Sequence, residues 1–159
     1  MATIAGMLRK IQELDFEQVA EAAISKYTTE IEVLQKKQMM QGKNNKGELF
    51  SPRHSENPWF KKEGAGYRYA VWKQRRNPET PFDVPNFYIN GYYHNSIFVT
   101  VSNRRVNIES NATFAPDIDA VFQNTALGLN TDSKVIAYET FIKPEMLRIT
   151  QPILGGTIK

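Results

Sequence analysis

Between Ile97 and Ser110 the chain reads IFVTVSNRRVNIES, and this stretch restricts the possible folds more than any other. Ile97, Val99 and Val101 fall on one side of an extended backbone and Phe98, Thr100 and Ser102 on the other, the two-residue period of a strand. Val106 and Ile108 alternate with Asn107 and Glu109 in the same way. Between the two runs lies Asn103-Arg104, and asparagine is one of the few non-glycine residues that tolerate the positive φ of a two-residue turn. The spacing predicts an antiparallel hairpin with one apolar face. That face must be covered by other elements, because an isolated two-stranded hairpin is marginal in water.

The remaining periodicities are helical. Ile4, Leu8, Ile11 and Leu14 mark a short amphipathic helix. Asp15 then reads as an N-cap, with Gln18 placed as in a capping box. The apolar face Val19, Ala20, Ala23, Ile24, Tyr27, Ile31 and Leu34 predicts one helix over 16–40 that ends at Gly42 as its C′ residue. Such a helix would be roughly 37 Å long. It either projects toward a neighbouring subunit or bends over its own sheet. Residues 43–66 read as loop, with Lys43–Gly47 a turn cluster and Ser51-Pro52 and Asn57-Pro58 set against helix. Tyr69, Trp72, Lys73 and Arg76 share one face of a short helix ending before Asn77-Pro78, and Pro78, Pro81 and Pro85 make an extended connector. After the hairpin, Pro116 opens a helix with Ile118, Val121 and Phe122 inward, and Asp117 and Asp119 placed to favour its N-terminus. Ala126–Leu129 is an apolar bend. Thr131 or Asp132 caps a last helical stretch that Pro144 must kink or restart, and Pro152, Gly155 and Gly156 release the chain into a tail.

The expected fold is therefore α+β: a long N-terminal helix and further helices packed on a small antiparallel sheet built around the 97–110 hairpin. One domain spans 1–159, with N-terminal helices (1–41), a basic loop and short helix (42–86), the hairpin with C-terminal helices (87–154), and a tail (155–159). A chain of 159 residues with 41% apolar and 23% charged residues can bury a core without staples. With no cysteine, a disulfide framework and a thiolate site are excluded, which fits synthesis in a reducing cytosol. No apolar run approaches the roughly 20 residues of a spanning helix, and Arg9, Lys10 and Glu13 interrupt any signal-peptide core, so no membrane partner is expected.

Catalytic patterns are wanting. His54 and His94 are each alone, without the close spacing of a zinc site. Asp117 and Asp119 stand two apart on a helix, where side chains do not converge. Gly64-Ala-Gly66 lacks the Lys-Ser/Thr of a phosphate loop. The expectation is a protein that is not an enzyme and holds no cofactor or metal. Charge is informative only in its distribution. Residues 42–86 carry nine Lys/Arg against five Asp/Glu, which is more than the whole net charge of +3, while the flanking segments are balanced or slightly acidic. This basic segment reads either as a solvated loop and helix face or as a surface that meets phosphate. The aromatics Phe82, Phe87, Tyr88, Tyr92 and Tyr93 read as core and interface ahead of base stacking, because the cations that follow them, Arg104 and Arg105, sit at the far end of the hairpin.

The order of these features resembles the tail-completion, or virion-morphogenesis, family of tailed bacteriophages, in particular divergent members from phages of gut bacteria. The resemblance is carried by Gly42-Lys-Asn-Asn-Lys-Gly47 followed by Phe50-Ser51-Pro52, and by Tyr69–Arg76 with its basic end. Its most specific element is Val84-Pro-Asn-Phe-Tyr-Ile-Asn90-Gly91-Tyr-Tyr-His-Asn-Ser96-Ile97, with Asn90 where the family pattern has Thr. The bend Ala126-Leu-Gly128-Leu-Asn130 completes it. The resemblance implies a structural virion protein at the head–tail junction, made in the bacterial cytoplasm, that forms a homo-oligomeric ring around the DNA channel. Its partners would be copies of itself, portal or adaptor and tail proteins, and packaged double-stranded DNA held without sequence reading. Under that reading Gly42, Gly47, Asn90, Gly91, Ser96, Ile97 and Gly128 are fold positions. Trp59, Phe60, Tyr92 and Tyr93 are candidate subunit contacts. Lys61, Lys62, Arg68, Lys73, Arg75, Arg76, Arg104 and Arg105 are candidate contacts to DNA or partners. The alternative is a free nucleic-acid-binding module using the basic 42–86 segment.

Overall fold

The computed structural model describes residues 4–154, so the expected 155–159 tail lies outside the described residues. The chain is α+β. Helices α1 (Ile4–Gln12), α2 (Phe16–Lys26) and α3 (Thr28–Met40) lead to a loop with a 3₁₀ turn at His54–Glu56 and then to α4 (Ala65–Arg76). The one-turn helix α5 (Tyr92–Asn95) precedes the hairpin β1 (Ile97–Ser102) and β2 (Arg105–Ser110). Helices α6 (Ala115–Phe122) and α7 (Thr131–Ala137), a π turn (Tyr138–Ile142) and α8 (Lys143–Leu154) follow. No described helix is long and apolar enough to cross a membrane.

The hairpin pairs Ser102 with Arg105, Val101 with Val106 and Val99 with Ile108, and Asn103 and Arg104 both adopt positive φ, as the two-residue turn requires. Ile97 and Val99 are buried while Thr100 and Ser102 are exposed, so the apolar face is the expected one. Helices α2 and α3 both pack on β1. They are separate helices, in place of the single 16–40 helix expected. Tyr27 leaves helical geometry (φ −116°, ψ 27°), directly before the β-branched pair Thr28-Thr29, which loses rotamer freedom in a helix. The break lets α2 lie against α8 while α3 lies against α7, both still touching β1. Tyr27 fills the corner by stacking on Phe141 with centroids 5.5 Å apart.

Side-chain caps fix the starts of α2 and α7. The Asp15 carboxylate accepts from the Glu17 and Gln18 amides, each at 3.1 Å. At the start of α7 the cap is Asn130, whose Oδ1 accepts from Ser133 N at 2.9 Å, and not Thr131 or Asp132. A new α-helix, α8, starts at Lys143 with Pro144 in its first turn, the restart expected at this proline. The preceding turn widens so that Lys143 N–H bonds to Tyr138 O, the longer π reach, which accommodates a ring that cannot donate. Helix α8 then runs past Pro152 to Leu154.

The interior has an apolar and a polar part. Met39, Phe50, Val84, Tyr93, Ile97, Ile118 and Phe122 form the larger apolar cluster, and Ile31, Val99, Leu129 and Ala137 a smaller one. Between them α3 presents Gln35 and Gln38, both essentially buried. Gln35 donates to Ala126 O (3.2 Å) and accepts from Gly128 N (3.0 Å). Gln38 donates to Gly128 O and Asn44 O and accepts from Asn130 N at 2.8 Å. Two side chains thus replace a strand in holding the 126–130 bend. Gly128 reaches φ +108° there, a conformation that side chains rarely adopt.

Candidate functional site

The 3₁₀ turn at His54 is held from two sides. His54 N donates to Asp83 O at 3.0 Å, and Ser55 donates to the Asp83 carboxylate through both its amide and its hydroxyl. On the other side α4 starts so close that a Cβ on Gly66 would stand 2.0 Å from His54 O, so only glycine fits. That approach brings Tyr69 edge-on to the His54 ring, with centroids 4.9 Å apart, and Phe60 and Trp72 lie 5.1 and 5.4 Å from Tyr69. Asn57 fixes the return of the loop by accepting from Trp59 N and Phe60 N.

The opposite wall comes from the glycine motif. The Asn90 carboxamide accepts from Tyr92 N, and Gly91 (φ +84°) turns the chain into α5. Ser96 ends α5: its hydroxyl donates to Tyr93 O and shares a 2.6 Å hydrogen bond with Ser110 Oγ, tying the helix to both strands of the hairpin. Behind this turn the Asn86 carbonyl can only accept, so His94 Nε2, 2.8 Å away, is the donor. Tyr93 then packs between Phe87 and Phe114, with centroids 5.7 and 5.8 Å away.

Between these walls is a cavity of about 480 Å³, lined by Trp59, Phe60, Tyr69, Phe87, Tyr92, Tyr93, Phe114 and Phe122 among others. That is the size of a small-molecule site, for which roughly 300–1,000 Å³ is usual. Its polar lining sets it apart. His54 Nε2, Lys73 Nζ and Tyr93 Oη are the buried side-chain polar atoms with no hydrogen-bond partner among the described residues, and all three side chains border this cavity. Burial, with Lys73 nearby, pushes the His54 imidazole down to about 4, so it is neutral at pH 7. Burial, reinforced by Arg76, lowers the Lys73 ammonium to about 8, so at pH 7 it is mainly a cation without a counterion. Burial, with the Asp119 carboxylate adding to it, raises the Tyr93 phenol, so it remains a donor.

The sequence-derived candidates sort differently in three dimensions. Trp59, Phe60, Tyr92 and Tyr93, expected to be subunit contacts, converge on the one cavity. Trp59 and Tyr92 are about half exposed at its rim, whereas Tyr93 is buried and presents no outer surface. Among the cations Lys61, Lys62, Arg68, Arg75 and Arg76 are exposed, and Arg76 lies over the Trp72 ring at 4.5 Å. Lys73 departs from them. Only 4% exposed, it is out of reach of a surface phosphate and belongs to the cavity. At the hairpin tip Arg105 is exposed, while Arg104 is already engaged by Asp15 and Glu17 at the start of α2. Sequence reasoning missed the convergence of His54, Lys73 and Tyr93. A signal was present: Gly66, Ala70 and Lys73 follow helical spacing, and two small residues on one face mark the side that packs closely. Compared with protein-family models, with curated proteins and with solved structures, the chain matches none.

Proposed function

We propose that the chain is a structural virion protein that assembles into a homo-oligomeric ring at the head–tail junction of a tailed phage, joining portal to tail around the DNA channel. The observation that carries the assembly half of this reading is the asymmetry of the hairpin. The outer edge of β1 is covered, with Val99 N donating to the Glu32 carboxylate at 3.3 Å. The outer edge of β2 takes no third strand among the described residues. An open edge is a template for pairing with another chain, and head-to-tail pairing of this kind closes into rings. Exposed Val135, Ile136, Tyr138 and Leu147 on the C-terminal helices offer apolar surface for the same contact. The phage assignment itself rests on the motif order through Gly42, Gly91, Ser96 and Gly128. Lys61, Lys62, Arg68, Arg75, Arg76 and Arg105 supply exposed positive charge for a channel lining that touches phosphate without reading bases.

The test is electron microscopy of the purified chain, with mass measurement, beside a Val106→Pro variant. In a two-residue hairpin the pair flanking the turn exchanges hydrogen bonds, so the next pair, Val101–Val106, points its amides outward. Proline at 106 therefore blocks the open edge without removing a bond of the hairpin. Closed rings from the parent chain and monomers from the variant are expected. A parent chain that stays monomeric at high concentration, alone and with its DNA, would sink the assembly reading.

A further inference from the structure

The cavity between α4 and the glycine motif plays no part in the ring reading, and its three unpartnered polar atoms need a separate account. Buried polar groups in folded proteins are nearly always hydrogen-bonded, and each exception costs free energy. Here the exceptions fall together: an ammonium, a phenol hydroxyl and an imidazole nitrogen border one aromatic-walled space. A core built for stability alone would carry apolar side chains at such positions.

We propose that this cavity binds an organic acid with an apolar body, its carboxylate received by the Lys73 ammonium and the Tyr93 hydroxyl. The chemistry of the walls selects that class. Aromatic faces take a ring or a medium-length alkyl chain, and a buried cation without a counterion calls for a single anionic head. A neutral ligand would leave Lys73 uncompensated. A dianion such as a phosphate monoester would bring more charge than one lysine can balance, since His54 is neutral here. The head reaches these atoms past the rim, where Trp59 and Tyr92 are about half exposed. His54, held from behind by Asp83 and Gly66, contributes Nε2 to the same polar set.

Decanoate and decanol separate head from body. Isothermal titration of the full chain, with each probe below its micelle concentration, should show decanoate binding at least about tenfold more tightly than decanol, the worth of one charge-assisted hydrogen bond. Lys73→Met should lower decanoate affinity by about the same factor and leave decanol affinity within twofold. Tyr93→Phe, which keeps the ring, should weaken decanoate by a few fold and spare decanol. Thermal melts of both variants establish that they are folded. Equal affinity for the two probes, decanoate binding undiminished in a folded Lys73→Met, or no binding of either probe would each overturn the proposal. So would an oligomer that must dissociate before decanoate binds, because the cavity would then belong to a second copy. Loss of rings in the Val106→Pro variant bears on assembly alone and leaves this result standing.

Discussion

Two places in this molecule bury polar side chains, and they do so on opposite terms. On α3, Gln35 and Gln38 are sealed inside and their carboxamides bond to the backbone at Asn44, Ala126, Gly128 and Asn130. Around the aromatic cavity, His54, Lys73 and Tyr93 are buried to a similar degree and their terminal atoms bond to nothing among the described residues. A satisfied buried network specifies a conformation, whereas an unsatisfied one stores a cost that a ligand can relieve. The first region is where the fold is held. The second is where a binding partner would gain.

The largest expected effect comes from breaking the satisfied side. Gln38→Leu keeps the volume close but strands the Asn130 amide and the Gly128 carbonyl, while Asn44 O keeps only its bond from Gly47 N. The expected loss is about 4 kcal/mol, set by roughly 1–3 kcal/mol for each stranded group with incomplete additivity. Urea denaturation measures it. A loss below about 1 kcal/mol would mean that the 126–130 bend is held by something else, and the contrast between the regions would fail.

The two regions also differ in how far the sequence discloses them. The Asp15 cap, the Asn103-Arg104 turn and the alternation of Ile97 and Val99 involve neighbours within a few residues, so the pattern is local and readable. Four of the five Gln35 and Gln38 bonds join residues about 90 positions apart. Nothing in a helical face of Ile31, Gln35 and Gln38 distinguishes an interior amide from a surface one. Lys73 was obscured by its neighbours: among Lys61, Lys62, Arg68, Arg75 and Arg76 it reads as one more surface cation. Tyr27 misled for another reason. Its apolar ring continues the α2 face, while the backbone break depends on α2 and α3 meeting different partners.

Acid should act next most strongly, and through the unsatisfied side. The folded-state pKa of His54, about 4, lies below the ordinary 6.5 because burial and Lys73 disfavour its cation. A depressed folded pKa means that the stabilising contribution is complete above pH 6.5 and disappears as pH falls through 4. The difference between 6.5 and about 4 corresponds to about 3 kcal/mol at most. Denaturation midpoints followed from pH 7 to pH 4 should fall in the wild type and fall less in His54→Gln, which carries no titrating group. Identical profiles would show that His54 is not buried as described. The Glu145 carboxylate, bonded by Arg148 and Lys26 and held down to about 2, adds its own loss only at lower pH, between its ordinary 4.5 and about 2.

Gly42 joins the two regions. It follows α3 at φ +71°, and a Cβ there would lie 2.4 Å from Val84 Cγ1, next to the Pro85 that borders the cavity. Gly42→Ala combines left-handed strain with overpacking of a buried valine, for an expected loss of about 2 kcal/mol. Because the clash pushes on the connector and not on the glutamines, decanoate affinity should fall with stability. Unchanged affinity in a destabilised Gly42→Ala would separate the cavity wall from the end of α3.

The smallest expected effect has the opposite sign and discriminates best. Lys73→Met removes an uncompensated buried cation and keeps the length of the side chain, so the ligand-free protein should gain about 1 kcal/mol at pH 7. The sign follows from the shift. With a folded pKa of about 8 against an ordinary 10.5, the neutral amine is the form the fold prefers, and a contribution present above pH 10.5 is already lost at pH 7. The advantage of methionine should therefore shrink as pH rises from 8 toward 10.5, provided both proteins remain folded there. It should also reverse when decanoate is present near saturation, since the lysine form binds the anion more tightly. Should Lys73→Met instead lose as much as Gln38→Leu at pH 7, Lys73 would be a satisfied structural residue. The cavity would then belong with the α3 network as part of the scaffold.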